Sequence, residues 1–243
     1  MRKVKGTALV GKALKNEGVK AVFTLAGGVL MGVYDTCINE GIELIDMRHE
    51  QAVANAATGY AMTTGDPGVA MVTAGPGVVN MVSGLAAAWH VGAPVIGIAD
   101  RTPQVFEGMG VYQEFDPREL YRSITKWRGY CTTTWRIPEY IATAFRHATT
   151  GRQGPVFLEF PFETLLMEVD TKMAPIMRPS KYRTRARPCA ESSSIRTAVK
   201  WLANAEKPGI LVGSGVLWSG ASKELLEFAK LLNIPVCYAV GGK

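Results

Sequence analysis

The chain has 243 residues, 47% hydrophobic and 20% charged, with a mean hydropathy of +0.08. That balance excludes a disordered chain, a collagen-like repeat and a disulfide scaffold, and no apolar run reaches the roughly 18–20 residues of a membrane helix. The formal net charge of +6 has one source: Lys172, Arg178, Lys181, Arg183, Arg185 and Arg187 stand in Thr171–Ala190 with no acid among them.

The N-terminal residues Met1–Lys5 lead into an amphipathic stretch rather than an apolar signal core, which predicts a cytoplasmic protein. A helix over Thr7–Asn16 is stopped by Gly18. Apolar runs then alternate with helical patterns. Strands are predicted at Ala21–Leu25, Glu43–Met47, Gly68–Ala74, Pro94–Ala99 and Pro155–Phe160. Helices are predicted at Val29–Glu40, Glu50–Thr64, Val78–His90 and Pro138–Thr150. Such alternation means β-α-β units, so the expected fold is α/β, a parallel sheet with helices on both faces.

This first domain is expected to occupy residues 1–166. The basic run lies in a linker, 167–190. Its three prolines and single aromatic, Tyr182, suit a solvated connection better than a nucleic-acid surface. The pattern restarts in 191–243, with helices Ser192–Ala205 and Ser222–Leu232 and strands Gly209–Val212 and Val236–Ala239. Two strands and two helices do not close a core. The apolar run Ile234–Tyr238 would be an exposed edge. The second α/β domain is therefore expected to be incomplete, finished by further chain or by a partner.

The four cysteines form no Cys-x-x-Cys pair and the three histidines no ligand spacing, so no metal-ligating residue is predicted and a zinc enzyme is excluded. No glycine loop matches a dinucleotide or P-loop signature. In open α/β sheets, ligands bind beyond the carboxyl ends of the strands. The segments in that position are Ala26-Gly27-Gly28, Arg48-His49-Glu50-Gln51, Gly75-Pro76-Gly77-Val78-Val79-Asn80 and Asp100-Arg101-Thr102-Pro103. Glu50 follows a strand and opens a helix very rich in alanine. A first-turn carboxylate is worth about 0.3–1 kcal/mol to the helix by itself, so taken alone Glu50 is a stabilising acid and the glycines are turn glycines.

Their joint order adds more. Arg48-His49-Glu50-Gln51, Ala56-Ala57-Thr58-Gly59-Tyr60-Ala61, Val72-Thr73-Ala74-Gly75-Pro76-Gly77-Val78-Val79-Asn80, Tyr112-Gln113-Glu114 and Gly151-Arg152-Gln153-Gly154-Pro155-Val156 resemble the pyrimidine-binding domain of thiamine-diphosphate enzymes of the acetolactate synthase family. The match covers Ala8–Leu166, and the chain from Glu191 looks like the start of that family's central domain. The resemblance implies a thiamin-diphosphate-binding fold and a decarboxylating carboligase or lyase acting on a small 2-oxo-acid or acyl substrate. It makes Glu50 the partner of the aminopyrimidine ring, holding or sharing a proton so that the cofactor becomes the nucleophile. It implies that Gly27 and Gly28 let backbone approach a neighbouring subunit's site. Thr73, Pro76, Gly77 and Asn80 would line the aminopyrimidine pocket and the subunit contact, and Gln113 would reach the reacting carbon.

Departures narrow the reading. The His-His pair of simple pyruvate decarboxylases is absent from the region of Tyr112-Gln113-Glu114, and Val29 stands where benzaldehyde-lyase-type carboligases have His. Tyr112, Thr58 and Met62 stand where acetolactate synthases usually show Phe, Asp and Arg. The family's Gly-Asp-Gly motif, which carries Mg²⁺ and the diphosphate on a C-terminal domain, does not occur. The chain is thus expected to supply the proton-activating half of a site and to be inactive alone. The complete protein is expected to be a homodimer or homotetramer, with the helix of Val78–Val82 and Ala86–Ala88 as a contact; a separate diphosphate-domain subunit, or a non-catalytic relic of the fold, are the alternatives. A flavin, which the resemblance allows, is supported by no residue.

Overall fold

The structure is a computed structural model that describes residues 3–184 and 188–242. The chain forms two compact units, residues 1–184 and 185–243.

The first unit runs β1 (Lys3–Lys5), α1 (Gly6–Asn16), β2 (Ala21–Thr24), α2 (Met31–Asn39), β3 (Glu43–Asp46), α3 (Glu50–Thr64), β4 (Gly68–Val72), α4 (Pro76–Val91), β5 (Val95–Arg101), β6 (Arg128–Tyr130), α5 (Ile137–Thr149), β7 (Val156–Pro161), α6 (Phe162–Leu166) and β8 (Glu168–Asp170). Six strands form one parallel sheet in the order β3-β2-β4-β5-β7-β6. This is the α/β architecture expected. Right-handed crossovers put α2 and α5, which step one way along the sheet, on one face. They put α3 and α4, which step the other way, on the opposite face. The packing agrees: α1 touches α2 and α5, and α3 touches α4.

The two layers differ in kind. Val22, Val69, Met71, Ile96, Ile98, Val156 and Leu158 form one core with Leu9, Leu14, Val33, Ile141 and Phe145 of the helices. Alternate residues face the other way, and there the central strands β4 and β5 carry small residues, among them Ala70, Gly97 and Ala99, with Phe23 and Phe157 on the strands to either side. A Cβ on Gly97 would lie 2.9 Å from Leu85 Cδ1, and one on Gly84 would lie 2.5 Å from Ala54 Cβ. The alanine-rich α3 and the glycines of α4 are therefore a close-packing device. They let two helices approach each other and the sheet without voids.

Several elements were not legible. β6 is a three-residue edge strand, Arg-Gly-Tyr, with no apolar run to announce it. α4 starts at Pro76, two residues before the predicted start, because proline suits a helix's first position. A 3₁₀ turn at Gly28–Leu30 precedes α2. β1 and β8 pair antiparallel, so the segment expected as a linker from 167 is structured in its first half. Its Arg183 pairs with Glu17 at 2.7 Å, and the Tyr182 hydroxyl bonds the same carboxylate. A buried acid needs such partners, so part of the basic run serves the first unit. Arg185 and Arg187 of that run lie outside the described residues.

The second unit contains α7 (Ser192–Ala203), β9 (Ile210–Val212), α8 (Ser214–Ser219), α9 (Ser222–Leu232) and β10 (Val236–Tyr238), with β9 and β10 paired in parallel. Every residue of β10 is exposed, as are Trp201, Leu211 and Leu231. No helix among the described residues is long and apolar enough to cross a membrane.

Candidate functional site

The sheet order changes direction after β2: the chain leaves β2 for β3 on one side, then returns to β4 on the other. That switch point opens a crevice at the carboxyl ends of β2 and β4. The β2–α2 turn carries Gly27 and Gly28 to it, and the β4–α4 turn carries Thr73 to Gly77.

Glu50 is the first residue of α3, capped by His49, whose Nδ1 accepts the Gln51 N–H at 3.2 Å. The Glu50 residue is 8% exposed. Its Oε2 accepts a hydrogen bond from Asn80 Nδ2 of α4 at 2.9 Å. A Cβ on Gly77 would stand 3.3 Å from Oε1. The bare glycine thus leaves one flank of the carboxylate open while Asn80 holds the other. The close packing of α3 on α4 is what brings residues 50, 77 and 80 together.

Thr73 joins this group to the glycine turn. Its Cγ2 would lie 3.5 Å from a Cβ on Gly77 and 3.3 Å from one on Gly27. Gly27 is extended, so only space demands a glycine there. Gly28 has φ +57°, and a Cβ on it would meet Asp100 Oδ2 at 2.5 Å and Thr73 Oγ1 at 2.6 Å. Pro76 is exposed at the head of α4.

Gln113 reaches the crevice from another direction. It sits in the left-handed region, φ 62°, and its backbone lies on Gly75, itself at φ +68°, where a Cβ would be 2.9 Å from Gln113 Cα. Glu114 holds the loop shape by accepting the N–H groups of Gly108, Gly110 and Val111, and these donors hold its carboxyl below the usual range. Gln113, Tyr112, Gly28, Asp100 and Phe162 line a cavity of about 510 Å³. Glu50 and Asn80 are not in its lining. The eight residues expected in the site therefore fall into two adjoining groups, with Thr73 and the β4–α4 turn between them.

Sequence reasoning missed the anchor of the loop. Arg101, 7% exposed, pairs with Glu107 at 3.2 Å, Asp116 at 3.5 Å and the buried Glu159 at 3.7 Å. It also lies over the Tyr130 ring at 4.7 Å. Glu107 and Asp116 stand on either side of Gln113, so one arginine holds both shoulders of its loop. The sequence put Arg101 at a strand's carboxyl end, in Asp100-Arg101-Thr102-Pro103, and gave it no role. Among the described residues no group of three His, Cys, Asp or Glu side chains is placed to hold a metal ion.

A parallel α/β sheet with a buried carboxylate and two glycine turns at its switch point defines a ligand-binding domain of the kind that holds an organic cofactor. Comparison with known proteins names the kind. The family described as "Thiamine pyrophosphate enzyme, N-terminal TPP binding domain" matches residues 4–120, and "Thiamine pyrophosphate enzyme, central domain" matches residues 195–243. The chain belongs to the thiamine pyrophosphate enzymes. It is 39% identical over 243 residues to the probable acetolactate synthase large subunit of Methanocaldococcus jannaschii, covering 99% of this chain and 41% of that protein. It is 33% identical over 246 residues to the acetolactate synthase large subunit of Haemophilus influenzae, covering 100% and 42%. With the chloroplastic acetolactate synthase of Arabidopsis thaliana it shares 34% identity over 239 residues, covering 98% and 35%. The chain thus spans about two fifths of the length of these relatives.

Proposed function

We propose that the chain is the N-terminal portion of a thiamine-diphosphate-dependent carboligase or lyase of acetolactate synthase type, acting on a small 2-oxo-acid or acyl substrate. The observation that carries this reading is the Glu50 carboxylate, buried at the head of α3, bonded to Asn80 on one oxygen and flanked by the bare Gly77 on the other. An aminopyrimidine edge offers the N–H and ring nitrogen that such a half-satisfied carboxylate fits. The cofactor, when bound, supplies the nucleophilic carbon and the electron sink. Glu50 holds or shares a proton at its Oε1. Asn80 orients the carboxylate by its own N–H to Oε2, which leaves Oε1 beside the bare Gly77. Thr73, Gly27 and Gly28 form the wall between this group and the cavity, and Gln113 presents its amide there to the substrate. Mg²⁺ and the diphosphate would be held by residues outside those described. A homodimer or homotetramer, or a separate subunit bringing the diphosphate site, would complete the centre.

The test is Glu50→Gln in the full-length protein with thiamine diphosphate and Mg²⁺. Turnover should fall about 10²–10⁴-fold with the fold intact by circular dichroism. Near-native turnover overturns the assignment.

A further inference from the structure

β5 ends in Asp100-Arg101 at the carboxyl end of the sheet, where the β2 and β4 turns meet. Asp100 is 4% exposed, and three donors reach its carboxylate. Oδ1 accepts the Ala74 N–H at 2.7 Å. Oδ2 accepts the Val29 N–H at 3.2 Å and faces the Thr73 hydroxyl at 3.4 Å. The donors lie on two different turns: Val29 follows Gly27-Gly28, and Thr73 and Ala74 open the segment that reaches Gly77. Charge-assisted bonds to backbone N–H are the strong kind, and a buried carboxylate holds its donors at fixed separations. Gly28 has no room for a Cβ because this carboxylate and Thr73 fill the space. Burial pushes the Asp100 carboxyl up, and the Ala74, Val29 and Thr73 donors pull it down.

We propose that Asp100 is the positioning residue of this site, its one carboxylate clasping the β2–α2 turn to the β4–α4 turn and so setting the spacing of Gly27-Gly28 from Thr73–Gly77. The clasp rests on the reading of the site as one for thiamine diphosphate. On this view the sheet itself requires Gly28, before any ligand arrives.

Asp100→Asn keeps the shape and one acceptor, but turns an N–H₂ toward donors on one side. In the full-length protein without cofactor, this change should lower hydrogen-exchange protection of the Val29 and Ala74 amides at least about tenfold, with Ile96 and Ile98 unchanged. Thiamine diphosphate, titrated with Mg²⁺, should bind about tenfold more weakly, with a smaller loss in kcat at saturation. Gly28→Ala should weaken binding less in an Asp100→Ala background than alone, because the two atoms that collide are then not both present. Native protection at both amides, or additive Gly28 and Asp100 effects, overturns the clasp. Should Asp100→Asn not fold, Gly28→Ala pushes on Oδ2 of the same carboxylate and must open the Val29 amide, and unchanged protection there is equally fatal. If the unsubstituted protein binds no thiamine diphosphate, the proposed function fails, while the exchange measurement still decides the clasp.

Discussion

Asn80 Nδ2 donates to Glu50 Oε2 at 2.9 Å across the α3–α4 contact. The bond joins the first turn of α3 to the second turn of α4, two helices that follow different strands. It leaves the carboxylate one bonded oxygen and one open to a ligand. Asn80→Leu removes the donor and leaves a buried oxygen unsatisfied, at a cost of about 1–3 kcal/mol. Urea titration of the full-length protein should show that loss. Thiamine diphosphate affinity should fall with it, since the carboxylate is no longer oriented; a variant of native stability and affinity would contradict the bond's importance.

Gly84 sets the distance between those same helices. An added Cβ would meet Ala54 Cβ at 2.5 Å and the Gln51 carbonyl at 2.8 Å, and backbone does not yield as a flexible side chain does. Gly84→Ala should therefore destabilise by about 1–3 kcal/mol through overpacking, despite alanine's better helix propensity. A rise in the unfolding midpoint would show that propensity outweighs the clash.

Arg101 binds the loop that carries Gln113. Arg101→Leu releases Glu107 and Asp116 and leaves Glu159 buried without its cation. Breaking a buried pair by removing one partner costs about 3–5 kcal/mol, and here the lower end is expected because Glu159 can take a proton instead. Limited proteolysis should cut within residues 103–116 faster in the variant. An unchanged cleavage rate would mean that the loop is held by other contacts.

Glu159 makes stability depend on pH. Burial, opposed first by Arg101, pushes its carboxyl up from 4.5 to about 7. The folded state then binds the proton more tightly than the unfolded state. The stability this contributes is fully present below pH 4.5 and is lost as pH rises towards 7, over a span worth about 3 kcal/mol. Relative to Glu159→Gln, the native protein should lose stability between these limits. Parallel stability curves for the two proteins across that range would refute the shift.

The alternation of apolar runs and helical patterns determined the parallel sheet and its main helices, because strand and helix periods are local properties. Glu50 and Gln113 were singled out by a resemblance instead. Each stands in a short ordered stretch, Arg48–Gln51 and Tyr112–Glu114, that is similar to a family pattern. The alanine content of α3 was visible too, although its purpose was not.

The tertiary structure alone decided what surrounds those residues. Crossover handedness and strand order bring residues 29, 73 and 100 within hydrogen-bond reach, though they are separated by up to 71 positions of chain. An aspartate at a strand end reads the same whether it faces water or clasps two turns. The same holds for Arg101, whose partners come from a loop and from β7, and for β8, which found β1 rather than remaining a linker. Local sequence determines which backbone shape a segment prefers. Which donor meets which acceptor is decided by distances that exist only once the sheet has closed.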